Sequence, residues 1–228
     1  MKCILLGYGE VGKALYKVFG EDNTIYIFDI REGTTKGNNI NILMVSIPYS
    51  VDFVRIVKAY QKEYKPKATI IFSTVPIGTC RKLGAIHSPV EGKHPELAKS
   101  IKLHTRWVGG EDKLVTKFFI NTLDKVVTLK KPEWTEFLKL RSTTLYGLNI
   151  EFARYSKEVA NDLDMDYELI KDWDQDYNDL YNKMDMLQYQ RYVLDPPQGS
   201  IGGHCVKPNA KLLNRQYPSN LLDNIINN

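Results

Sequence analysis

The stretch Lys2-Cys3-Ile4-Leu5-Leu6-Gly7-Tyr8-Gly9-Glu10-Val11-Gly12-Lys13-Ala14-Leu15 decides how this chain is read. An apolar run of strand length stops at Gly7. Two further glycines complete the spacing G-x-G-x-x-G, and Val11, Ala14, Leu15, Val18 and Phe19 then recur at helical intervals. The pattern is strand, tight turn, helix. Gly7 makes the turn, Gly9 lets the backbone approach a pyrophosphate, and Gly12 lets the helix lie close to the strand. The start of that helix, with Tyr8, Glu10 and Val11 around the glycines, is the expected seat of the pyrophosphate, because the first N–H groups of a helix have no partner within it.

The next segment, T-I-Y-I-F-D at 24–29, is a β-rich run closing on an acid. Asp29 lies about twenty residues beyond the glycines, where a ribose-binding carboxylate belongs. Such a carboxylate accepts hydrogen bonds from both ribose hydroxyls and repels a 2′-phosphate, so NAD is the expected cofactor. Arg31, a residue type that can accommodate that phosphate, stands two positions on.

Outward from this start, strand and helix alternate. Residues 31–39 are too short for a full crossover helix. The run I-N-I-L-M-V-S-I-P at 40–48 has the near-continuous hydrophobicity of a parallel strand covered on both faces. Ile47 and Pro48 at its end are expected to face the cofactor. A helix is expected from 49 to about 64, and a buried strand from 68 to 74. The loop S-T-V-P-I-G-T at 73–79 puts Ser73 and Thr74 at the carboxyl end of the sheet, where ligands of open α/β folds bind. A short helix, a strand near 85–89, a loop with a helical turn at 90–104, and strands at 106–110 and 125–129 around a helix at 112–122 complete a Rossmann-type, doubly wound, mostly parallel sheet over residues 1–130.

From residue 131 the character changes, and 131–228 is expected to be a helical region for dimerisation or substrate binding. A helical pattern runs from 133 to about 163 with a single glycine, Gly147, and with Leu138, Leu145, Leu148, Phe152 and Val159 among polar residues. A helix that long exceeds what one small sheet covers. A homodimer is therefore expected. A second helical stretch at about 166–187 is rich in Asp, Asn, Tyr and Trp, and the tail 221–228 is short and amphipathic.

Composition narrows the classes. The chain has 228 residues, enough for a substantial core, with 43% hydrophobic and 25% charged residues. A net charge of +4 without a basic block or aromatic-interleaved patch does not mark a nucleic-acid binder. No apolar run reaches membrane-spanning length, and the N-terminus enters a strand without a signal-peptide pattern, so a cytoplasmic protein is expected. Three separated cysteines argue against a disulfide framework, and they form no metal pattern with the four histidines.

The loop D-P-P-Q-G-S-I-G-G-H-C-V-K-P-N at 195–209 is fixed by prolines and glycines before it presents Cys205. It could display a nucleophilic thiol, or equally be a turn before a small buried side chain.

Taken together, L-L-G-Y-G-E-V-G, I-L-M-V-S-I-P, S-T-V-P-I-G-T, H-S-P at 87–89, W-V-G-G at 107–110, T-E-F-L-K-L at 135–140 and I-G-G-H-C at 201–205 resemble the UDP-glucose/GDP-mannose dehydrogenase family, in the family's order. The resemblance implies an NAD-dependent oxidoreductase acting on a CH–OH group of a small-molecule substrate, a sugar derivative or a hydroxy acid. It places Cys205 as the thiol that carries the substrate at the aldehyde and acid levels, and Thr74 as a residue that positions water and substrate. Lys139 matches a helix lysine that serves as acid/base in related β-hydroxyacid dehydrogenases, and Asn149 matches a position facing the sugar. His204 matches the histidine beside the family's cysteine. Three departures stand out. The family's acid four residues after the cysteine is Asn209, which takes no proton. The family's S-P-E is Ser88-Pro89-Val90, with Glu91 one residue later. The sequence ends about twenty residues after Cys205, where the family continues into a second α/β domain, so a short form is expected. Two alternatives are a non-catalytic NAD-binding protein, or a subunit completed by a partner chain, and a two-electron 3-hydroxyacid-type dehydrogenase that uses Lys139 and leaves Cys205 inert.

Overall fold

The computed structural model describes residues 1–29, 33–34, 39–92, 95–197, 199 and 205–227. Arg31, His204 and residues 201–203 of the glycine-rich loop, singled out above, lie outside them. The chain divides into two compact units, Met1–Lys139 and Leu140–Asn228.

The first unit is built on one eight-stranded sheet in the order β3-β2-β1-β4-β5-β6-β7-β8. Its strands are β1 (Lys2–Leu6), β2 (Thr24–Asp29), β3 (Gly33–Thr34), β4 (Ile42–Val45), β5 (Ala68–Ile71), β6 (Ile86–His87), β7 (Arg106–Gly109) and β8 (Val126–Leu129). β2, β1, β4, β5 and β6 pair in parallel, as the alternating pattern requires. β3 runs antiparallel on β2, and β7 antiparallel on β6, with β8 parallel to β7. The first helix, α1 (Glu10–Phe19), is followed by α2 (Phe53–Tyr64), α3 (Thr79–Leu83), α4 (Leu97–Leu103) and α5 (Lys113–Ile120).

Two-sided burial explains the continuous apolar runs. Cys3, Leu5, Ile42 and Met44 face one core, packed by α1, α4 and α5, with Phe19 stacked on Phe118 at 4.8 Å between centroids. Ile4, Leu6, Leu43 and Val45 face the other, packed by α2 and α3 through Phe53, Val57, Cys80 and Leu83. All four residues of β4 are fully buried. At about 1.5–3 kcal/mol per buried aliphatic side chain, that strand alone anchors both layers. In the 90–104 segment, the helical turn expected after the loop lengthens to the seven residues of α4, because Leu97 and Ile101 enter the first core together. Asp112 caps α5 by accepting from the backbone N–H groups of Leu114 and Val115 at 2.8 and 2.9 Å.

The reversal at β7 places the end of β8 opposite the carboxyl ends of β1, β4 and β5. The long helix α6 (Pro132–Asp162) starts there, and its first two turns reach the end of β6 and the segments after β5 and β6 through Thr135, Glu136 and Lys139. Pro132 suits its first position, since proline lacks only an N–H that would be unpaired there.

The second unit consists of α6 from Leu140 onward, α7 (Glu168–Lys183), a 3-10 turn (Leu187–Tyr189), α8 (Val206–Gln216) and α9 (Asn220–Asn227). A Cβ at Gly147 would stand 2.7 Å from Val206 Cγ1 and 3.1 Å from Ile225 Cγ2, so this glycine is where α8 and α9 press against α6. After the 3-10 turn, Arg191 pairs with Asp174 at 3.0 Å and stacks 3.5 Å over the Tyr177 ring, which fastens the following segment along α7. α8 starts at Val206, so Asn209, expected in a loop, falls in its first turn. Among the described residues, no helix is long and apolar enough to cross a membrane, and no group of three His, Cys, Asp or Glu could hold a metal ion. All three cysteines are free thiols.

Candidate nucleotide-binding and active site

In the first unit, Gly7 takes φ +96°, and a Cβ there would meet Ile47 Cγ2 at 2.9 Å. Its N–H donates to Phe28 O and its carbonyl accepts from Ser46 Oγ, at 2.8 and 2.9 Å, so the turn is tied to both neighbouring strands. At Gly12 a Cβ would stand 2.2 Å from Gly7 O, which only glycine avoids. At Gly9 a Cβ would meet nothing within 4 Å among the described residues, and as the N-cap of α1 it offers no side chain to the helix amides. The start of α1 thus has no side-chain cap from its own N-cap residue, as the seat of a pyrophosphate requires. The residues present fit a dinucleotide: a glycine cradle, an uncapped helix start and, beside them, Asp29.

Asp29 Oδ2 accepts the Tyr8 N–H at 2.7 Å, which sets the carboxylate against the turn. The Tyr8 ring packs edge-on against Tyr16 with Lys13 Nζ 5.7 Å from its centroid. Glu10 is exposed, and Val11 half-buried against the core. Ile47 is half-buried and Pro48 exposed at the end of β4, where Ser73 Oγ donates to Ile47 O at 2.6 Å. Thr74 follows, half-buried.

The 73–79 loop is held from beneath by α6. His87 is fully buried, with Nε2 3.2 Å from Ser73 O and Nδ1 2.8 Å from Thr135 Oγ1. A carbonyl only accepts, so Nε2 carries the proton, and the Thr135 hydroxyl donates to Nδ1. Burial pushes the imidazole down to about 3, against the smaller upward pull of the Ser73 carbonyl, so the ring is neutral. One residue along, the buried Glu136 carboxylate accepts the N–H groups of Gly78 and Cys80 at 2.5 and 2.7 Å. Burial pushes that carboxyl up, and the two backbone donors pull it back. It lies against the Cys80 thiol, which burial foremost and the carboxylate next push well above its ordinary value.

Lys139, one further turn along α6, reaches the loop after β6. Its Nζ donates to Val90 O at 2.8 Å and lies 3.3 Å from Glu91 Oε2. The buried Arg106 donates through Nη1 to Pro89 O at 2.9 Å, so two cations hold the backbone leading into Glu91. The one-residue displacement of this acid in sequence does not take its carboxylate away from Lys139.

In the second unit, Cys205 is exposed at the start of α8. Asn209 is buried and donates from Nδ2 to Thr143 Oγ1 at 3.0 Å, pinning α8 to α6. Asn149 donates to Leu145 O of its own helix at 2.8 Å. The structure brings Gly7, Asp29, Ile47 and Ser73, all singled out in the sequence, close to one another, and adds Ser46 and the His87–Thr135 and Glu136 supports, which the sequence did not point to. The motif T-E-F-L-K-L contains them, yet nothing in it tells which loop, 58 residues upstream, the acid holds.

The fold is that of Rossmann-type dehydrogenases. Along its whole length the chain matches a UDP-D-ManNAc dehydrogenase from Pyrococcus horikoshii, with TM-score 0.79, 17% identity and 68% of that chain covered. A UDP-glucose dehydrogenase from Pyrobaculum islandicum matches over 99% of this chain and 67% of that one, with TM-score 0.74 and 12% identity. The 3-hydroxyisobutyrate dehydrogenase of Mycobacterium tuberculosis, in a structure with L-serine, matches over 99% and 91%, with TM-score 0.70 and 11% identity. No protein-family model and no curated protein matches the sequence.

Proposed function

We propose that this protein is an NAD-dependent oxidoreductase acting on a CH–OH group, a minimal relative of the nucleotide-sugar dehydrogenases. The observation that carries the proposal is one arrangement within the first unit. The Gly7–Gly12 turn with Asp29, the 73–79 loop and Glu91 all follow the carboxyl ends of parallel strands, the place where such sheets bind ligands, and Lys139 reaches Glu91 there from α6. Asp29 would hold the adenosine ribose, the start of α1 the pyrophosphate, and the 46–48 and 73–74 segments the remainder. Bound NAD supplies the hydride acceptor. Lys139 and Glu91 then do the work of this chain. Nζ orients the substrate hydroxyl, and the pair takes its proton as the carbon is oxidised. Thr74 positions the substrate beside them.

In the four-electron version, exposed Cys205 attacks the aldehyde and holds it for a second oxidation. The Asn209 amide favours the second reading, a two-electron oxidation of the hydroxyacid type on Lys139. Its side chain serves as a tie to Thr143 rather than a proton acceptor. Residues 1–130 would form the cofactor domain and 131–228 the region for substrate and self-association. A homodimer accords with the exposed Leu145, Phe152, Tyr155 and Val159 on α6.

The test is NADH formation with NAD and a panel of sugar nucleotides, free sugars and hydroxy acids, run beside Cys205→Ala and Lys139→Ala. Two NADH per substrate, abolished in Cys205→Ala, supports the covalent version. One NADH, surviving Cys205→Ala and lost in Lys139→Ala, supports the second. NAD binding without turnover on any substrate counts against the enzyme and for a binding protein or a partner-dependent subunit.

A further inference from the structure

We propose that Glu136 is the positioning residue of the site: from α6 it holds the 73–79 loop in the form that receives the cofactor, in register with Lys139. The inference rests on the cofactor reading above and deepens it. Glu136 is fully buried, and its two oxygens accept the backbone N–H groups of Gly78 and Cys80, the residues that open α3. Gly78 itself has φ +89° and no side chain, so α3 has no cap of its own. The cap is delivered from a distant helix.

A purely structural account fits these facts less well. A buried carboxylate is costly to desolvate, and a local Ser, Asp or Asn would cap a helix from within its own segment. A cap that comes from α6 does something a local one does not: it fixes where the loop stands relative to that helix. Lys139 is three residues on, a neighbour on the same helix surface. The opposite end of the loop is held by the same helix, through Thr135, His87 and Ser73 O. Ser73 then passes the connection to Ile47 at the end of β4. Thr74 lies between two points of attachment to one rigid element that also carries the proposed acid/base group. Releasing one attachment frees the loop and leaves the lysine in place.

The experiment compares the full-length chain with Glu136→Gln, which keeps the size but faces one of the two N–H donors with an amide donor of its own, and with Glu136→Asp, which keeps the charge one methylene short. NADH affinity is followed by fluorescence, and hydrogen exchange is measured at residues 73–80. Expected are at least tenfold faster exchange at Gly78 and Cys80 in Glu136→Gln, NADH binding weakened about tenfold, and partial recovery of both in Glu136→Asp. In the wild type, saturating NADH should slow exchange at the same two amides at least fivefold, a measurement that needs no variant to fold. Faster exchange with NADH affinity unchanged within twofold makes Glu136 a structural cap and overturns the positioning role. Unchanged exchange overturns it as well. A wild-type chain that binds neither NADH nor NADPH overturns the cofactor reading itself, and the positioning role falls with it.

Discussion

Replacing Gly12 and Gly9 separately by alanine asks two different questions of one turn. At Gly12 the new Cβ would lie 2.2 Å from Gly7 O and 3.1 Å from Ser46 Oγ. The first of these is backbone held by the Phe28 and Ser46 hydrogen bonds, so the start of α1 has to move off by about 1 Å. Overpacking of that kind costs about 1–3 kcal/mol. For a chain of this size each kcal/mol lowers Tm by about 2–4 °C, so Gly12→Ala should melt about 2–12 °C below the wild type. At Gly9 the backbone has φ −70°, suitable for any residue, and the Cβ meets no described atom within 4 Å. Gly9→Ala should therefore stay within about 1 kcal/mol of wild-type stability, the spread between Gly and Ala at an N-cap. Its methyl group fills the space through which the pyrophosphate approaches, so NADH affinity should fall about tenfold or more, equivalent to about 1.4 kcal/mol. Thermal melts and NADH fluorescence titrations on the three proteins measure both quantities. The reasoning is refuted if Gly9→Ala binds NADH like the wild type, or if Gly12→Ala melts within a degree of it.

Further outcomes concern the supports. His87 has a depressed value in the folded state, so the unfolded chain binds the extra proton first as pH falls. Its contribution to stability is intact above about 6.5 and is lost at up to about 1.4 kcal/mol per pH unit between 6.5 and about 3. Tm measured across that range should decline more steeply in the wild type than in His87→Gln, and parallel curves would contradict the buried neutral ring. In the second unit, Gly147→Val crowds Val206 and Ile225 and should cost about 1–3 kcal/mol. Hydrogen exchange in α8 and α9 should then quicken about tenfold while β1, β4 and β5 keep their protection. Equal protection throughout would mean that α8 and α9 do not depend on that contact.

Local chemistry made much of the first unit readable in advance. The run at 40–48 is apolar at nearly every position because both faces of β4 are covered, and a period-2 alternation would have signalled a one-sided sheet instead. Helix α4 was harder to see. Leu97 and Ile101 are too few to establish a period, and only the core they enter makes the segment helical. The antiparallel pairing of β7 on β6 was not visible either, since strand direction leaves no mark on composition. Asn209 shows a different limit. As an amide in place of an acid it announced a loss of proton chemistry, but the hydrogen bond to Thr143 that occupies it joins residues 66 positions apart.

By itself the sequence determined what short spacings can encode. These are the G-x-G-x-x-G turn, the acid about twenty residues later and the two-faced strands, because each depends on backbone geometry within a few residues or on a period along one element. Tertiary structure decided which side chains serve one another. Glu136 caps α3, His87 joins Ser73 to Thr135, and Glu91 meets Lys139 despite its displaced position. The reason is geometric: the reversal of the sheet at β7 sends α6 back past the ends of β5 and β6, and that path is set by the packing of the whole sheet rather than by any segment of it.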